Sequence, residues 1–146
     1  MSETAAFLAL IETASAQGVE SRSQYLKEHG PHEMGWNYAN IQEVAPILRR
    51  QLRKKGFFRI YLCFPENDHD VRYALKVSSL RTFSRPEVFS DPVDGRRYLV
   101  HSRMTIRSIE KIFPPMGLNE FLSTDRRKPD VRHLALGFLF VVDPEV

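Results

Sequence analysis

The sequence predicts an α+β domain built on a strongly curved sheet or partial barrel. Two observations predict it. Residues 57–80 hold two strand-like runs joined by a polar turn. The segments on either side alternate between helical spacing and further short apolar runs, with no internal repeat. The central pair is the clearest signal. Phe57-Phe58-Arg59-Ile60-Tyr61-Leu62-Cys63-Phe64 is aromatic and β-favouring, Pro65 ends it, and residues 66–70 are polar. Val71, Tyr73, Leu75 and Val77 then alternate with Arg72, Ala74, Lys76 and Ser78, which makes a hairpin at the centre of the sheet.

The other elements follow in chain order. Ser2 caps a first helix over about residues 3–17, with Phe7, Leu10, Ile11 and Ala14 on one stripe and Gly18 as its stop. A short second helix covers 21–29 and ends at Gly30-Pro31. Residues 32–40 lack periodicity and read as a loop holding the one tryptophan, Trp36, beside Asn37, Tyr38 and Asn40. Trp36 is either a core anchor under that loop or a stacking platform, with an asparagine amide to meet a base edge. Asn40 opens a capping box for a helix whose stripe is Ile41, Val44, Ala45, Leu48 and Leu52. Pro46 either kinks this helix or marks its true start near Ala45, and Gly56 ends it. Its opposite face carries Arg49, Arg50, Arg53 and Lys54.

Beyond the hairpin, residues 81–95 are rich in Pro, Ser and Asp and read as a loop in which Phe83 and Phe89 are plugs or pocket walls. A third strand covers 96–101. Thr105 caps a helix over 106–113, with Ile106, Ile109 and Phe113 on its stripe and Pro114-Pro115 as its stop. Residues 116–122 form a further helical turn, and 123–130 a basic loop. A closing strand, 133–142, is apolar on both faces and is expected in the centre of its sheet. The expected organisation is a single domain over 1–146, with a helical packing segment at 1–34 and the core at 35–144.

Composition narrows the function classes. At 146 residues with 42% hydrophobic content, the chain can build a core. Its single cysteine, Cys63, excludes an internal disulfide and a Cys-rich zinc site, and its place in a strand makes it a small buried residue. No apolar run approaches the ~20 residues of a membrane span, and the start, Met-Ser-Glu-Thr, is not that of a signal peptide. A cytoplasmic protein is expected. The net charge is +3, and the basic residues fall in groups. Arg49, Arg50, Arg53, Lys54, Lys55 and Arg59 form one; Arg96, Arg97, Arg103, Arg107 and Lys111 a second; Arg126, Arg127, Lys128 and Arg132 a third. Any one group is a solvated face, whereas three in so short a chain point to a phosphate-contacting surface.

A search for catalysis finds no Gly-rich phosphate loop and no Gly-x-Ser-x-Gly elbow. His29 and His32 flank Gly30-Pro31 without helical ligand spacing, and the acids at 66–70 suit a turn. No catalytic residue, cofactor or metal ligand is predicted.

Gly35-Trp36, Asn40, a helix, Ile60-Tyr61-Leu62-Cys63-Phe64 and Val71 to Ser79 occur in an order that resembles the front half of a YTH domain. The order is also similar to EVE domains and the wider PUA-like superfamily, over roughly residues 35–144. The resemblance implies a PUA-like curved mixed sheet or pseudo-barrel flanked by helices. It also implies a non-catalytic reader of a modified, methylated base flipped into an aromatic cage. Trp36 matches the first cage tryptophan, followed by Asn37 at the base edge and, at a shorter spacing, Asn40. With no second tryptophan, Phe83, Phe89 or Tyr98 completes the cage. Lys76 and the loop Arg126, Arg127 and Lys128 match positions that hold phosphate, beside Arg49 and Arg53 of the basic helix face. DNA or RNA is the implied partner. Such domains serve in modification-dependent restriction systems, which suits fusion to, or association with, a nuclease or NTPase subunit, and in RNA-binding modules. The end at residues 143–146, directly after a strand, suits a module of a longer chain. Two other classes stay open: an enzyme on nucleic acid or nucleotide using His101 or His133, and a protein-interaction domain with a basic surface.

Overall fold

The computed structural model describes residues 5–10, 16–37, 41–64, 70–121 and 138–144. In chain order the elements are β1 (Ala5–Leu10), α1 (Ala16–His29), β2 (His32–Trp36), α2 (Ile41–Lys55), β3 (Phe58–Cys63), β4 (Val71–Ser90), β5 (Arg97–Met116), a 3₁₀ turn (Leu118–Glu120) and β6 (Phe138–Val142). This is an α+β architecture. Hydrogen-bonded strands follow the order β2-β5-β4-β3-β1-β6, so the predicted hairpin pair, β3 and β4, lies in the middle. The sheet is mixed, because β1 runs parallel to β3 with Phe7 opposite Ile60, and antiparallel to β6 with Phe7 opposite Phe140.

The chain gathers into two compact units. The first comprises 1–19, 59–75 and 109–146. Its core contains Tyr61, Cys63, Val71, Ala74, Ile112 and Phe121, with Met116 and Leu118 packed against it. Tyr61 meets Phe121 edge-on at 5.2 Å, and Phe64 meets Tyr73 at 6.1 Å. The Asp143 side chain is fully buried. It accepts from Tyr61 Oη at 2.5 Å and from Arg59 Nη1 at 2.9 Å. Burial works against the Arg59 charge, but the hydrogen-bonded Asp143 carboxylate more than offsets it, and the Arg59 pKa rises. Burial pushes the Cys63 thiol up to about 11, the behaviour of a packing residue rather than a nucleophile.

The second unit comprises 20–58 and 76–108. Here β2 pairs antiparallel with β5, Gly35 opposite Arg103 and Trp36 opposite Ser102. Gly30 at φ +83° closes α1 with a bond from its N–H to Leu26, and Gly56 at φ +82° closes α2 through Leu52. Ile41, Ala45 and Leu48 are the buried stripe of α2, as their spacing predicts. The helix runs through Pro46 from a start at Ile41; Pro46 lies in the second turn on the exposed side, where it leaves the Gln42 carbonyl without its intrahelical N–H. The β4–β5 hairpin turns at Asp91 to Arg96. Asp91 N–H donates to Arg96, Gly95 N–H to Asp91, and Asp91 Oδ1 accepts from Val93 N–H.

Several expectations are corrected. The first helix is instead strand β1 over residues 5–10. Its Ala and Leu content favours a helix, but parallel pairing with β3 decides the outcome, an override of local propensity by tertiary pairing. The 1–34 segment is therefore not wholly helical, and α1 starts earlier than residue 21. Part of the predicted 32–40 loop is β2, held by its ladder to β5. Residues 81–90, expected as a loop, continue β4. Residues 106–113, expected as a helix, continue β5, which runs to Met116 through Pro114-Pro115. In both cases one long strand gives the other its ladder. Strand β6 ends the sheet order instead of lying centrally, so its apolar sequence does not report two covered sheet neighbours. The predicted turn at 116–122 is present as the 3₁₀ turn. The predicted turn at 66–69 and the basic loop at 123–130 lie outside the described residues.

Candidate nucleic-acid interface

The exposed side of β5 in the second unit is written in period-two alternation. Val100, Ser102, Met104 and Ile106 are buried, while Arg97, Leu99, His101, Arg103, Thr105 and Arg107 are partly or fully exposed between them. The β2 register sets Gly35 opposite Arg103 and Glu33 opposite Thr105, so Glu33 and Arg103 share that side. From β4, Ser79 Oγ lies 2.6 Å from Thr105 Oγ1, which brings the following residues of β4 alongside.

Arg103 is the centre of this surface. Its guanidinium carbon lies 5.7 Å from the Phe83 ring centroid and 5.2 Å from that of Phe89. Nη2 donates to the Val88 carbonyl at 3.4 Å, Nη1 stands 3.8 Å from Glu33 Oε1, and Nε has no hydrogen-bond partner among the described residues. A groove of about 440 Å³ opens here, lined by Glu33, Val88, Phe89, Ser90, Pro92 and Arg103. Arg81 adds a second cation 5.7 Å from the Phe83 ring.

Gly35 fits this wall because a side chain would not. A Cβ there would come within 2.5 Å of Val100 Cγ1 and 2.8 Å of Phe89 Cδ1. Phe89 in turn meets Tyr98 edge-on at 5.8 Å. The Tyr98 hydroxyl lies near the Gly35 carbonyl and Asp91, and burial, reinforced by Asp91, lifts its pKa to about 12. Asp91 is also paired with Arg22 of α1, whose other terminal nitrogen donates to His32 Nε2 at 3.0 Å. His32 Nδ1 donates to the Gly30 carbonyl at 3.2 Å, so the ring is neutral. Its pKa is lowered, by burial first and then by Arg22.

The predicted site residues divide. Phe83 and Phe89 come together on Arg103. Asn37 is exposed and accepts from His101 Nδ1 at 2.7 Å on the same side of the sheet. Arg49 donates to Thr82 Oγ1 at 2.9 Å, and Gln42 of the same helix to the Phe83 carbonyl, next to the aromatic pair. Arg53 is exposed in the last turn of α2, where a cation also complements the helix dipole. Lys76 lies over the Phe57 ring at 4.2 Å rather than on the Arg103 surface. Trp36 is only 5% exposed and sits opposite the buried Ser102 in the β2–β5 ladder. Tyr38, Asn40, Arg126, Arg127 and Lys128 lie outside the described residues, as does His133. Glu33 and Arg103 are the additions. Their signal was the alternation of 97–107, which the helix expectation for 106–113 obscured.

A second depression, of about 390 Å³, lies in the first unit between Glu110 and Glu120, beside the 89% exposed Phe113. No helix of the described residues is long and apolar enough to cross a membrane. No family model and no curated protein matches the chain.

Proposed function

We propose that this chain is a non-catalytic nucleic-acid-binding domain that takes a modified base into the groove beside Phe89. The observation that carries the reading is Arg103 set against Phe83 and Phe89 on a side of the sheet that also bears Arg97 and Arg107. The half-buried Phe83 ring supplies stacking worth ~1–3 kcal/mol, Phe89, only 4% exposed, backs the groove, and the arginines supply salt-sensitive phosphate contacts. Val88, Phe89 and Pro92 give the groove an apolar wall. A methyl group buried there gains about 1 kcal/mol. The base must leave its stack to enter, at a cost of a few kcal/mol that phosphate contacts offset. The same reading assigns the mixed sheet to a PUA-like pseudo-barrel, supported by the order of Gly35-Trp36, α2 and the central strands β3 and β4. It places the protein in the cytoplasm, working with a nuclease or NTPase in a restriction system, or on RNA.

The test is fluorescence anisotropy with labelled DNA and RNA, unmodified or carrying N6-methyladenine, 5-methylcytosine or N7-methylguanine, at two salt concentrations. The expected result is binding that weakens steeply with salt, with one modified strand preferred, and a loss of ~1–3 kcal/mol in Phe83→Ala. Equal affinity for modified and plain strands would remove the modified-base part. No binding to any strand would move a protein-interaction role ahead.

A further inference from the structure

We infer that the base read by this groove is guanine, through its Watson–Crick edge. The inference rests on the nucleic-acid reading above and names its substrate more narrowly. Arg103 offers only donors, and its side chain is 24% exposed at the groove, so its terminal nitrogens are the ones a ligand can reach. Glu33 beside it offers only acceptors, two carboxylate oxygens on a side chain that is 37% exposed. The contact between the two, 3.8 Å, is too long for a hydrogen bond, which leaves both groups able to turn to a ligand.

An arginine beside a carboxylate therefore presents donors next to a pair of acceptors. Guanine is the base whose one edge supplies the complement in full. Its O6 accepts, and its N1–H and N2–H₂ donate side by side to two carboxylate oxygens. Adenine and cytosine each offer Glu33 a single amino group, and thymine or uracil a single imino proton. That edge is occupied in a duplex, so the substrate is an unpaired or flipped guanine. A methyl group on N1 or O6 would remove the N1–H that the pair reads, and one on N2 would replace one of its two N–H donors. Methylation compatible with this site therefore lies on the five-membered ring, toward the apolar wall of Val88 and Pro92.

The experiment uses labelled oligothymidylate carrying one central guanine, hypoxanthine, adenine or cytosine, with binding read by anisotropy on the full chain. Hypoxanthine keeps O6 and N1–H but lacks the amino group. We expect guanine to be preferred over adenine and cytosine by about tenfold or more, and over hypoxanthine by a smaller ratio. Glu33→Gln should bring the guanine-to-hypoxanthine ratio to about one. A melting curve for Glu33→Gln that overlays the parent's establishes that the variant is folded. Equal affinity for all four strands would overturn the guanine assignment and leave the nucleic-acid reading standing. A guanine preference that survives Glu33→Gln unchanged would overturn the role of the carboxylate. Absence of binding to every strand would overturn both readings together.

Discussion

Two of the places where an arginine meets a carboxylate beside aromatic rings differ in kind. In the first unit, Arg59 and Tyr61 close on Asp143, whose side chain is wholly buried and bonded at 2.5 and 2.9 Å. In the second unit, Arg103 and Glu33 stay 3.8 Å apart, at 24% and 37% exposure, between Phe83 and Phe89 at an open groove. The difference is burial of the carboxylate. In the first set both Asp143 oxygens accept hydrogen bonds and hold strand β3 to the segment after β6. In the second no hydrogen bond joins Arg103 to Glu33, and the carboxylate is partly exposed at the groove. We assign the first, closed set to stability and, on the proposed reading, the second, open set to recognition.

Removing one carboxylate from each set separates the two roles. Asp143→Ala strands a buried guanidinium and a buried phenol, so we expect a loss of about 3–5 kcal/mol in unfolding by denaturant. Glu33→Ala removes one partner of an exposed, long ion pair, and its effect on stability should stay within about 1 kcal/mol. Comparable losses in the two variants would erase the distinction between a closed and an open set.

Gly35→Ala sharpens the comparison on the open side. The new methyl group would overlap Val100 and the Phe89 ring, neither of which is the far end of a flexible chain. Overpacking of this kind costs about 1–3 kcal/mol. Because the ring that must move is a wall of the groove, oligonucleotide affinity should fall along with the melting temperature. A variant that melts lower but binds as before would show that Phe89 does not shape the site.

How much of this was legible in the sequence depended on where the deciding forces act. Residues 71–80 were legible because near-alternating burial is written locally, and 58–63 because an unbroken aromatic and β-favouring run fills a strand buried at nearly every position. The α2 stripe of Ile41, Ala45 and Leu48 was legible for the same reason at helical period. Strand β1 was not. Ala5 to Leu10 is good helix sequence, and what makes it a strand is its pairing with residues more than fifty positions away. The spacing of Ile106, Ile109 and Phe113 suggested a helix. The alternation that overrules it, Val100, Ser102, Met104 and Ile106 against Arg97, His101, Arg103 and Arg107, needed the window to begin nine residues earlier, at Arg97 instead of Ile106. That one misreading hid Arg103, although it had already been counted in a basic group. Phe83 and Phe89 were named as pocket walls without a partner, since only the β4–β5 ladder brings them to the same guanidinium. The burial of Trp36 opposite Ser102 was likewise not legible, since it depends on the β2–β5 register.

The smallest effect we expect is a dependence on pH through His32. Its ring is held neutral by two bonds of opposite sense: Nε2 accepts from Arg22, and Nδ1 donates to Gly30. Protonation would turn Nε2 into a donor facing a guanidinium, with only Asp91, already engaged by Arg22, to compensate. Tyr25 packs edge-on against the ring at 4.7 Å and offers no charge of its own. Burial is the largest cause of the lowered pKa, so the unfolded chain binds this proton at higher pH than the folded one does. Stability from His32 is therefore fully present above the ordinary value of 6.5 and is lost as pH falls below it. Urea unfolding of the parent and of His32→Gln, followed from about pH 7.5 to about pH 5.5, isolates this from the other histidines. The parent should lose more stability than the variant as the pH falls. Parallel curves would mean that His32 is not held neutral. The coupling has a consequence for the groove, because Asp91, which Arg22 shares with His32, also anchors the turn carrying Pro92. Loss of oligonucleotide affinity at low pH, absent in His32→Gln, would tie the open set to the network behind it.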